Sequence, residues 1–538
     1  MKDGFRQAMS WLHTWSGLVL GWLLFAIFLT GTLAFFRSEL NQWTRPELSP
    51  MGAPSAASAD LAQRALHAKA PGVSQWIMQL SDERTPAITL LWRDKPGARF
   101  ETVWADPATG ALRHARDTLG GDFFYRFHFE LRSAKFSRWI VEGRWVVGAA
   151  TLLMFVALLS GIVTHRRIFS DFFTFRARKG GQRAWMDAHN VMGVLVLPFY
   201  LMITFSGLMI FHTLYLPAGI AAVYRTPAGT TDSQRYFADL AGEPATERSR
   251  PRSADGAALP IVPLAPLIAQ AQAAWPQGHV GSLSTRTGPD GALRIEVARQ
   301  DGERLQYRPE RLVFDAASGR LLQRLDATGP AARTYGVLYG LHLGRFAEPA
   351  LRWMLFGFGL AGSAMIATGL VLWVVKRRGP AGRAKHTGPF GMRLVETLNL
   401  AALAGLPLAI AVFFAANRLL PNDLAARADA ELQCFFGAWA LCLALAAAWR
   451  GRAGWCTLLA LGAMAFAALP LLNAATTSVH LGRTLVHGDW ALAGVDLGFL
   501  GTAALLAAVA HRVHRRARHA DAAAPPRAEP PPLAAGQR

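Results

Sequence analysis

Long apolar runs separated by polar stretches are the main pattern along this chain of 538 residues. A run of about 20 apolar residues is long enough to cross a bilayer as a helix. On this basis we predict about eight membrane spans, at residues 11–36, 144–164, 191–214, 351–375, 394–416, 432–449, 456–473 and 490–510. The first run is long for a signal peptide and has no clear cleavage site, so we interpret it as a retained helix.

Two long polar stretches interrupt the first four spans. Alternating apolar and polar residues within them, for example at 100–103 and 294–297, predict small sheets accompanied by a helix. The fold class predicted is therefore a polytopic α-helical membrane protein with two small α+β domains. In chain order we expect a first membrane helix (1–36), a first outer domain with an interfacial segment (37–143), helices two and three (144–214), a second such domain (215–350), helix four (351–380), a C-terminal four-helix extension (381–510) and a disordered basic tail (511–538).

The charge pattern indicates orientation rather than nucleic-acid binding. The formal net charge is +20, but the Lys and Arg residues cluster beside the apolar runs and form no aromatic-basic recognition module. They fall between spans two and three, four and five, and six and seven, and after span eight. By the positive-inside rule both termini are cytoplasmic, and the two polar stretches face outward from a bacterial inner membrane. The basic tail is expected to contact anionic membrane lipids. Three cysteines in apolar segments predict buried thiols.

An internal repeat relates spans one and two to spans three and four. Residues at equal offsets in spans one and three are His13, Gly17, Thr30 and Gly31, and His189, Gly193, Ser206 and Gly207. Equal offsets also relate Arg144, Trp145, Ser160 and Gly161 to Arg352, Trp353, Thr368 and Gly369. Each outer stretch ends in an Asp followed by Ser/Thr-Gly, which is typical of a tight turn between strands. We interpret this as a parallel duplication about an axis along the membrane normal.

These motifs resemble the PepSY-associated transmembrane family over residues 1–379. The resemblance rests on His13-x-x-x-Gly17, on Ser160-Gly161-x-x-x-His165 with its following arginines, and on the 106–110 turn. It implies that the outer domains are PepSY-like and periplasmic. It also implies similarity to bacterial inner-membrane haem-b reductases of ferric siderophores. The four C-terminal spans depart from the four-span core of such reductases.

Six histidines lie at span ends in the repeated unit, and side chains of this type at membrane depth are usually functional. We place His13, His165 and His189 on the cytoplasmic side and His128, His212 and His342 on the periplasmic side. Imidazole is an axial ligand of haem iron, and bundles hold cofactors between facing helices. The two layers predict two b-type haems, with the iron bound by histidines of each layer.

The sequence does not choose the histidine pairs. His13 and His189 are equivalent, and His128 and His342 approximately so, whereas His165 and His212 have no histidine counterpart. His189 and His212 would be about 34 Å apart on one helix, which is long for direct exchange between two haems. Arg144 and Arg352 are either interfacial anchors or partners of haem propionates.

Three functions remain open at this point. The first is a ferric-chelate reductase that receives electrons from an unknown cytoplasmic donor or a quinol and reduces a ferric siderophore or similar chelate. The second is a transporter component for iron chelates, although the spans offer few polar midplane residues. The third is a membrane module whose outer domains act on peptides or proteases. No other catalytic constellation is evident, and the Gly-x-Gly-x-x-Gly string at 357–362 lies inside a span rather than after a strand.

Overall fold

The membrane helices dominate the structure. The computed structural model describes residues 2–73, 75–95, 97–131, 142–165, 181–241, 261–288, 290–326, 329–378 and 389–522. In this part of the chain seven helices are long and apolar enough to cross a membrane, or eight if a bent helix pair counts as one span. This confirms the predicted polytopic α-helical fold. The three cysteines are free thiols, and of the buried thiols predicted only Cys442 is fully buried, whereas Cys434 and Cys456 are half-buried.

The repeat predicted from the sequence is visible in the helices. The first copy contains α1 (Lys2–Val19), α2 (Gly21–Leu33), α3 (Arg37–Trp43), α4 (Ser58–Lys69), α5 (Gly121–Glu130) and α6 (Gly143–Thr164). The second contains α7 (Gly181–Leu195), α8 (Leu197–Ile210), α9 (His212–Tyr215), α10 (Pro217–Val223), α11 (Ser233–Ala241), α12 (Leu264–Ala274), α13 (Pro330–Leu343) and α14 (Pro349–Arg377). Helix α1 packs on α6 as α7 packs on α14.

Both copies break their first span at the same position of the repeat. Leu20 separates α1 from α2, and Val196 separates α7 from α8, where the axis bends by 68°. Pro198 follows the second break, and a proline in the first turn of a helix needs no hydrogen bond for its missing N–H. Each break divides its span into two helices. The second helix of each span contacts a helix of the other copy: α2 contacts α14, and α8 contacts α6.

The two outer stretches join into one antiparallel sheet. Its strands are β1 (Gln75–Gln79), β2 (Ile88–Arg93), β3 (Glu101–Ala105), β4 (Leu112–Arg113), β5 (Val280–Thr287), β6 (Leu293–Arg299), β7 (Arg311–Asp315) and β8 (Leu321–Leu325). Their order is β4-β3-β2-β1-β5-β6-β7-β8. Met78 of β1 lies opposite Leu283 of β5, so the edge strand of each copy covers that of the other. The predicted small domains are therefore fused rather than separate.

The Asp-containing turns form as predicted. The Asp106 carboxylate accepts hydrogen bonds from the N–H groups of the residues that follow it, and Asp315 does the same in the second copy. Gly110 and Gly319 close the turns with φ of 73° and 70°, a conformation that glycine adopts without strain. The two turns confirm that the outer stretches are copies of one unit.

Two helices lie between the sheet and the membrane bundle. Helix α5 packs on α2, and α13 packs on α8. Helix α13 lies within the second outer stretch, for which the sequence predicted an interfacial segment. The glycine-rich string at 357–362 lies within α14, where a Cβ on Gly362 would meet Phe28. This confirms that it serves close helix packing, in which small residues let backbones approach.

The C-terminal unit is joined to the duplicated core through buried polar groups. Its helices are α15 (Pro389–Leu400), α16 (Leu406–Leu419), α17 (Arg427–Ala448), α18 (Arg452–Thr476), α19 (Leu481–Val486) and α20 (Trp490–Ala522). The Arg418 guanidinium lies 3.7 Å from the Trp43 ring and donates to the Trp43 carbonyl. Trp43 in turn donates to Asp496. These contacts place α16 and α20 against α3, so the extension packs as part of the bundle.

Helix α20 corrects one prediction. It continues to Ala522, so residues 511–522 are helical and not a disordered tail. The helix extends beyond its apolar part because the Ala, Arg and His residues there have adequate helix propensity. Residues 523–538 lie outside the described part of the chain. Five of the six Lys and Arg residues at 166–183 and two of the five at 376–385 also lie outside it.

Candidate functional site

Four of the six predicted histidines form two facing pairs. His13 of α1 faces His189 of α7, with ring centres 6.1 Å apart. His128 of α5 faces His342 of α13 at the same separation. We call the first the distal pair and the second the sheet-side pair. Both join equivalent positions of the two copies, so the structure selects the symmetric pairing that the sequence left open.

Each of these four histidines makes the same hydrogen bond to a neighbouring helix. The Nδ1 atom lies 2.7–3.0 Å from a main-chain carbonyl oxygen. The carbonyls belong to Ala157 for His13, Met365 for His189, Ile27 for His128 and Ile203 for His342. A carbonyl only accepts, so Nδ1 carries the proton and donates it. The lone pair of a neutral ring is then on Nε2, the nitrogen left to bind a metal.

A glycine lies beneath each histidine ring, four residues after the accepting carbonyl. A Cβ on Gly31 would lie 2.5 Å from His128 Nδ1. For the other three, the nearest distances from a Cβ to the ring would be 3.1 Å at Gly161, 3.0 Å at Gly207 and 3.0 Å at Gly369. Real Cβ contacts are rarely so short, so a side chain at these positions would displace the ring. We call Gly31, Gly161, Gly207 and Gly369 the seats of the histidines, because each leaves room for one ring to lie against its helix.

The residue before each glycine is Ser or Thr, and its hydroxyl donates to the same carbonyl. The pairs are Thr30 with Ile27, Ser160 with Ala157, Ser206 with Ile203 and Thr368 with Met365. Ser206 Oγ also lies 3.1 Å from His342 Nδ1. In the sequence these Ser/Thr-Gly pairs marked the repeat, but their role beside the histidines was not predicted. Their equal spacing was the available signal, but only the packing shows which histidine each pair receives.

His212 and His165 occupy different surroundings. His212 contacts the Met209 carbonyl of its own segment through Nδ1 and the Tyr236 hydroxyl through Nε2, so both nitrogens are engaged. His165 follows the end of α6, one turn after Gly161, near His189. Neither faces another histidine across a gap in the described part of the chain, so their roles as haem ligands stay predictions.

The two predicted arginines are held by carboxylates or carbonyls. Arg144 contacts Glu130 at 2.6 Å. Arg352 lies 3.5 Å from Glu39 and donates to the Ala347 carbonyl. Both also line the cavity described below. These contacts suit anchors at the membrane surface, and the alternative role toward propionates stays a prediction.

Burial keeps the sheet-side pair neutral. Loss of solvent lowers the pKa of His128, and the same burial together with neighbouring His128 lowers the pKa of His342 to about 3. Neutral imidazole is the form that binds a metal ion. The described residues contain no group of three or more His, Cys, Asp or Glu arranged around a metal position. Within them, the candidate ligands are therefore the two facing histidine pairs.

A cavity of about 2080 Å³ extends from the sheet-side pair toward the sheet. It is lined by His128 and His342 and by residues of both halves of the sheet, including Thr89 and Ser282. Stacked Tyr307 and Tyr339, with ring centres 3.7 Å apart, also line it. Its size exceeds that of ordinary small-molecule sites of roughly 300–1,000 Å³, so it has room for more than one group.

Comparison with known proteins identifies the family of the duplicated core. The profile described as PepSY-associated TM region matches residues 10–376. The chain belongs to this family. The match spans both histidine pairs and the whole sheet, and the C-terminal unit lies beyond it. Among curated proteins, an uncharacterised protein of Pseudomonas aeruginosa is 27% identical over 383 residues, which is 69% of this chain and 82% of the relative.

Proposed function

We propose that this protein of the PepSY-associated family is a b-type haem protein of the bacterial inner membrane. It would carry electrons from a cytoplasmic donor or a quinol to a ferric siderophore or similar ferric chelate in the periplasm. The observation that carries the proposal is the two-fold occurrence of facing histidines, each with Nδ1 on a carbonyl and Nε2 directed away from it. The cavity at one pair supplies a place for the chelate.

The spacing of the rings would suit a metal ion bound by both of them. A metal–imidazole bond is about 2 Å, and the ring centre lies about 1 Å beyond the nitrogen. Two rings on opposite sides of one metal ion would therefore have centres about 6 Å apart, close to the 6.1 Å of both pairs. Direct hydrogen bonding between the rings would give a shorter separation. The residues present therefore fit haem.

The chain's own residues would fix and tune the cofactor. Bound haem would supply a reversible one-electron couple at each level. The carbonyls of Ala157, Met365, Ile27 and Ile203 hold the four rings in one tautomer and orientation. A hydrogen bond from Nδ1–H to a carbonyl also raises the basicity of Nε2, which favours the ferric state. The glycine seats allow each ring to lie against its neighbouring helix.

The two levels are closer than the sequence suggested. On the α7–α8 segment, His189 marks one level and the Ile203–Gly207 seat marks the other. About 16 residues separate them, or about 24 Å if the helix were straight, and the bend at Val196 shortens this. The 34 Å separation calculated for His212 does not apply to the pairs. A porphyrin at each level would shorten the gap further.

Orientation follows from charge. Lys376 and Arg377 lie in the last turn of α14, at the end of the bundle nearest the distal pair. By the positive-inside rule this end is cytoplasmic, and the sheet and cavity are periplasmic. A substrate on the periplasmic side is then within reach of the sheet-side pair alone.

An optical spectrum of the full chain tests the haem proposal. Protein purified in detergent from haem-replete cells should show Soret and α bands, with two haems per chain by pyridine haemochrome assay. His13→Ala and His342→Ala should each remove one haem, while the control His480→Ala should keep both. A colourless wild-type preparation would overturn the proposal.

Proteoliposomes test the reaction. With an electron donor sealed inside and a ferric chelate outside, ferrous iron should accumulate outside, measured with an impermeant Fe²⁺ indicator. His342→Ala should abolish this. Iron appearing inside vesicles without a donor would instead support a transporter, and protease binding by colourless protein would support the regulatory module.

A further inference from the structure

Three buried nitrogen atoms near the distal pair have no hydrogen-bond partner among the described residues. They are Arg6 Nε, His165 Nδ1 and Trp373 Nε1. Trp373 is 7% exposed. A buried polar nitrogen without a hydrogen-bond partner is costly, and native structures contain few of them. Three together at one level indicate a missing acceptor rather than three separate defects.

Their positions are related by the repeat. His165 stands four residues after Gly161, and Trp373 stands four residues after Gly369. These glycines seat His13 and His189, so the two side chains lie one helical turn beyond the distal pair, on helices from opposite copies. Symmetry therefore brings them to equivalent positions on either side of the pair.

Arg6 adds a positive charge at the same level. It lies seven residues before His13, two turns along the same face of α1. Its guanidinium donates to the Thr164 carbonyl at 3.0 Å, which places it beside His165. A second guanidinium, from Arg377, lies 3.9 Å from the Trp373 ring. The surroundings of the three nitrogens are thus cationic.

We infer that Arg6, His165 and Trp373, here called the donor cluster, bind the propionate carboxylates of the porphyrin held between His13 and His189. Arg and the Trp indole donate and never accept, so the partner must offer acceptor oxygens, and the charge requires an anion. A porphyrin held by His13 and His189 would extend past their rings toward the next turn of α6 and α14, where the cluster lies. The inference rests on the proposed function.

It also assigns a role to a residue that the histidine pattern left unexplained. His165 breaks the symmetry of the repeat because its counterpart is Trp373. As metal ligands the two residues are not equivalent, but in the Nδ1–H tautomer His165 offers a donor as Trp373 does. The same position of each copy therefore supplies one hydrogen-bond donor.

The test compares haem with haem dimethyl ester, in which both carboxylates are esterified. Binding is measured in His342→Ala apoprotein, so that the distal pair alone is titrated. A charge-assisted hydrogen bond is worth about 1.5–3 kcal/mol, so haem should bind roughly tenfold or more tightly than its ester. In an Arg6→Gln, Trp373→Phe variant this preference should disappear. The control Trp353→Phe, an exposed indole on the same helix, should keep it.

Several results would overturn the inference. An equal preference for haem in the variant and the control would show that the propionates lie elsewhere. An equal affinity for haem and ester in the parent, with phospholipid lost from the variant by mass spectrometry, would assign the cluster to a lipid phosphate. Absence of haem from the wild type would sink the proposed function as well. If the double variant misfolds, Trp373→Phe alone should still reduce the preference.

Discussion

Replacing Gly31 by Ala tests the histidine seat directly. The new Cβ would lie 2.5 Å from His128 Nδ1 and 2.6 Å from its Cε1. An ordinary contact needs almost 1 Å more, so the ring must move, and the 2.8 Å hydrogen bond to the Ile27 carbonyl weakens with it. Overpacking of this kind costs about 1–3 kcal/mol, and the lost hydrogen bond adds about 0.5–1.5 kcal/mol.

Two measurements report the change. The unfolding midpoint of the purified protein in detergent should fall, and the sheet-side level should lose haem or become five-coordinate in its optical and electron paramagnetic resonance spectra. The distal level should be unchanged because Gly161 and Gly369 still seat its rings. Gly17→Ala is the matched control, since a Cβ there meets nothing within 4 Å; removing a helix glycine there should leave stability equal or slightly higher.

The reasoning would be refuted if Gly31→Ala behaved like Gly17→Ala in both measurements. A fall in stability with a normal sheet-side spectrum would show that the seat is structural and that His128 is not a ligand. The two outcomes separate the packing argument from the haem proposal.

Other contacts give further predictions. Arg427 and Glu431 form an ion pair in which both side chains are 0% exposed. Glu431→Ala should lower the free energy of unfolding by about 3–5 kcal/mol, measured by denaturation in detergent, because it leaves the buried Arg427 charge unpaired. Asp423 is exposed, so Asp423→Ala should change that free energy little. Hydrogen bonds from Ser318 lower the pKa of Asp315 below its ordinary 3.8. The Asp315 carboxylate therefore stabilises the turn above that pH, and this stabilisation is lost as pH falls through the folded-state pKa. After correction for intrinsic exchange, amide exchange at Ser318 should accelerate on acidification in the wild type and be insensitive to pH over that range in Asp315→Asn.

Much of the architecture follows from local sequence pattern. The apolar runs determined the spans because a helix in lipid must be apolar over about 20 residues. The equal offsets of His, Gly and Ser/Thr determined the duplication, and the Asp turns determined where strands reverse. These features depend on residues near one another in the chain, so they can be predicted without knowing the packing.

The sequence did not determine how the two copies combine. The joining of β1 to β5 was not predicted, because an unpaired edge strand carries no mark of its partner. The end of the last helix was also misplaced, since alanine and arginine support a helix in water as well as in a membrane.

The candidate site depends on both the sequence and the tertiary packing. The sequence supplied six histidines at two levels, and the tertiary structure reduced them to two facing pairs by placing each ring on a glycine of another helix. That choice requires His128 to meet Ile27 and His342 to meet Ile203, contacts between residues more than 100 positions apart. Only packing decides such contacts, because the energy of a ring against a glycine depends on where the two helices cross and not on the residues beside it in the chain.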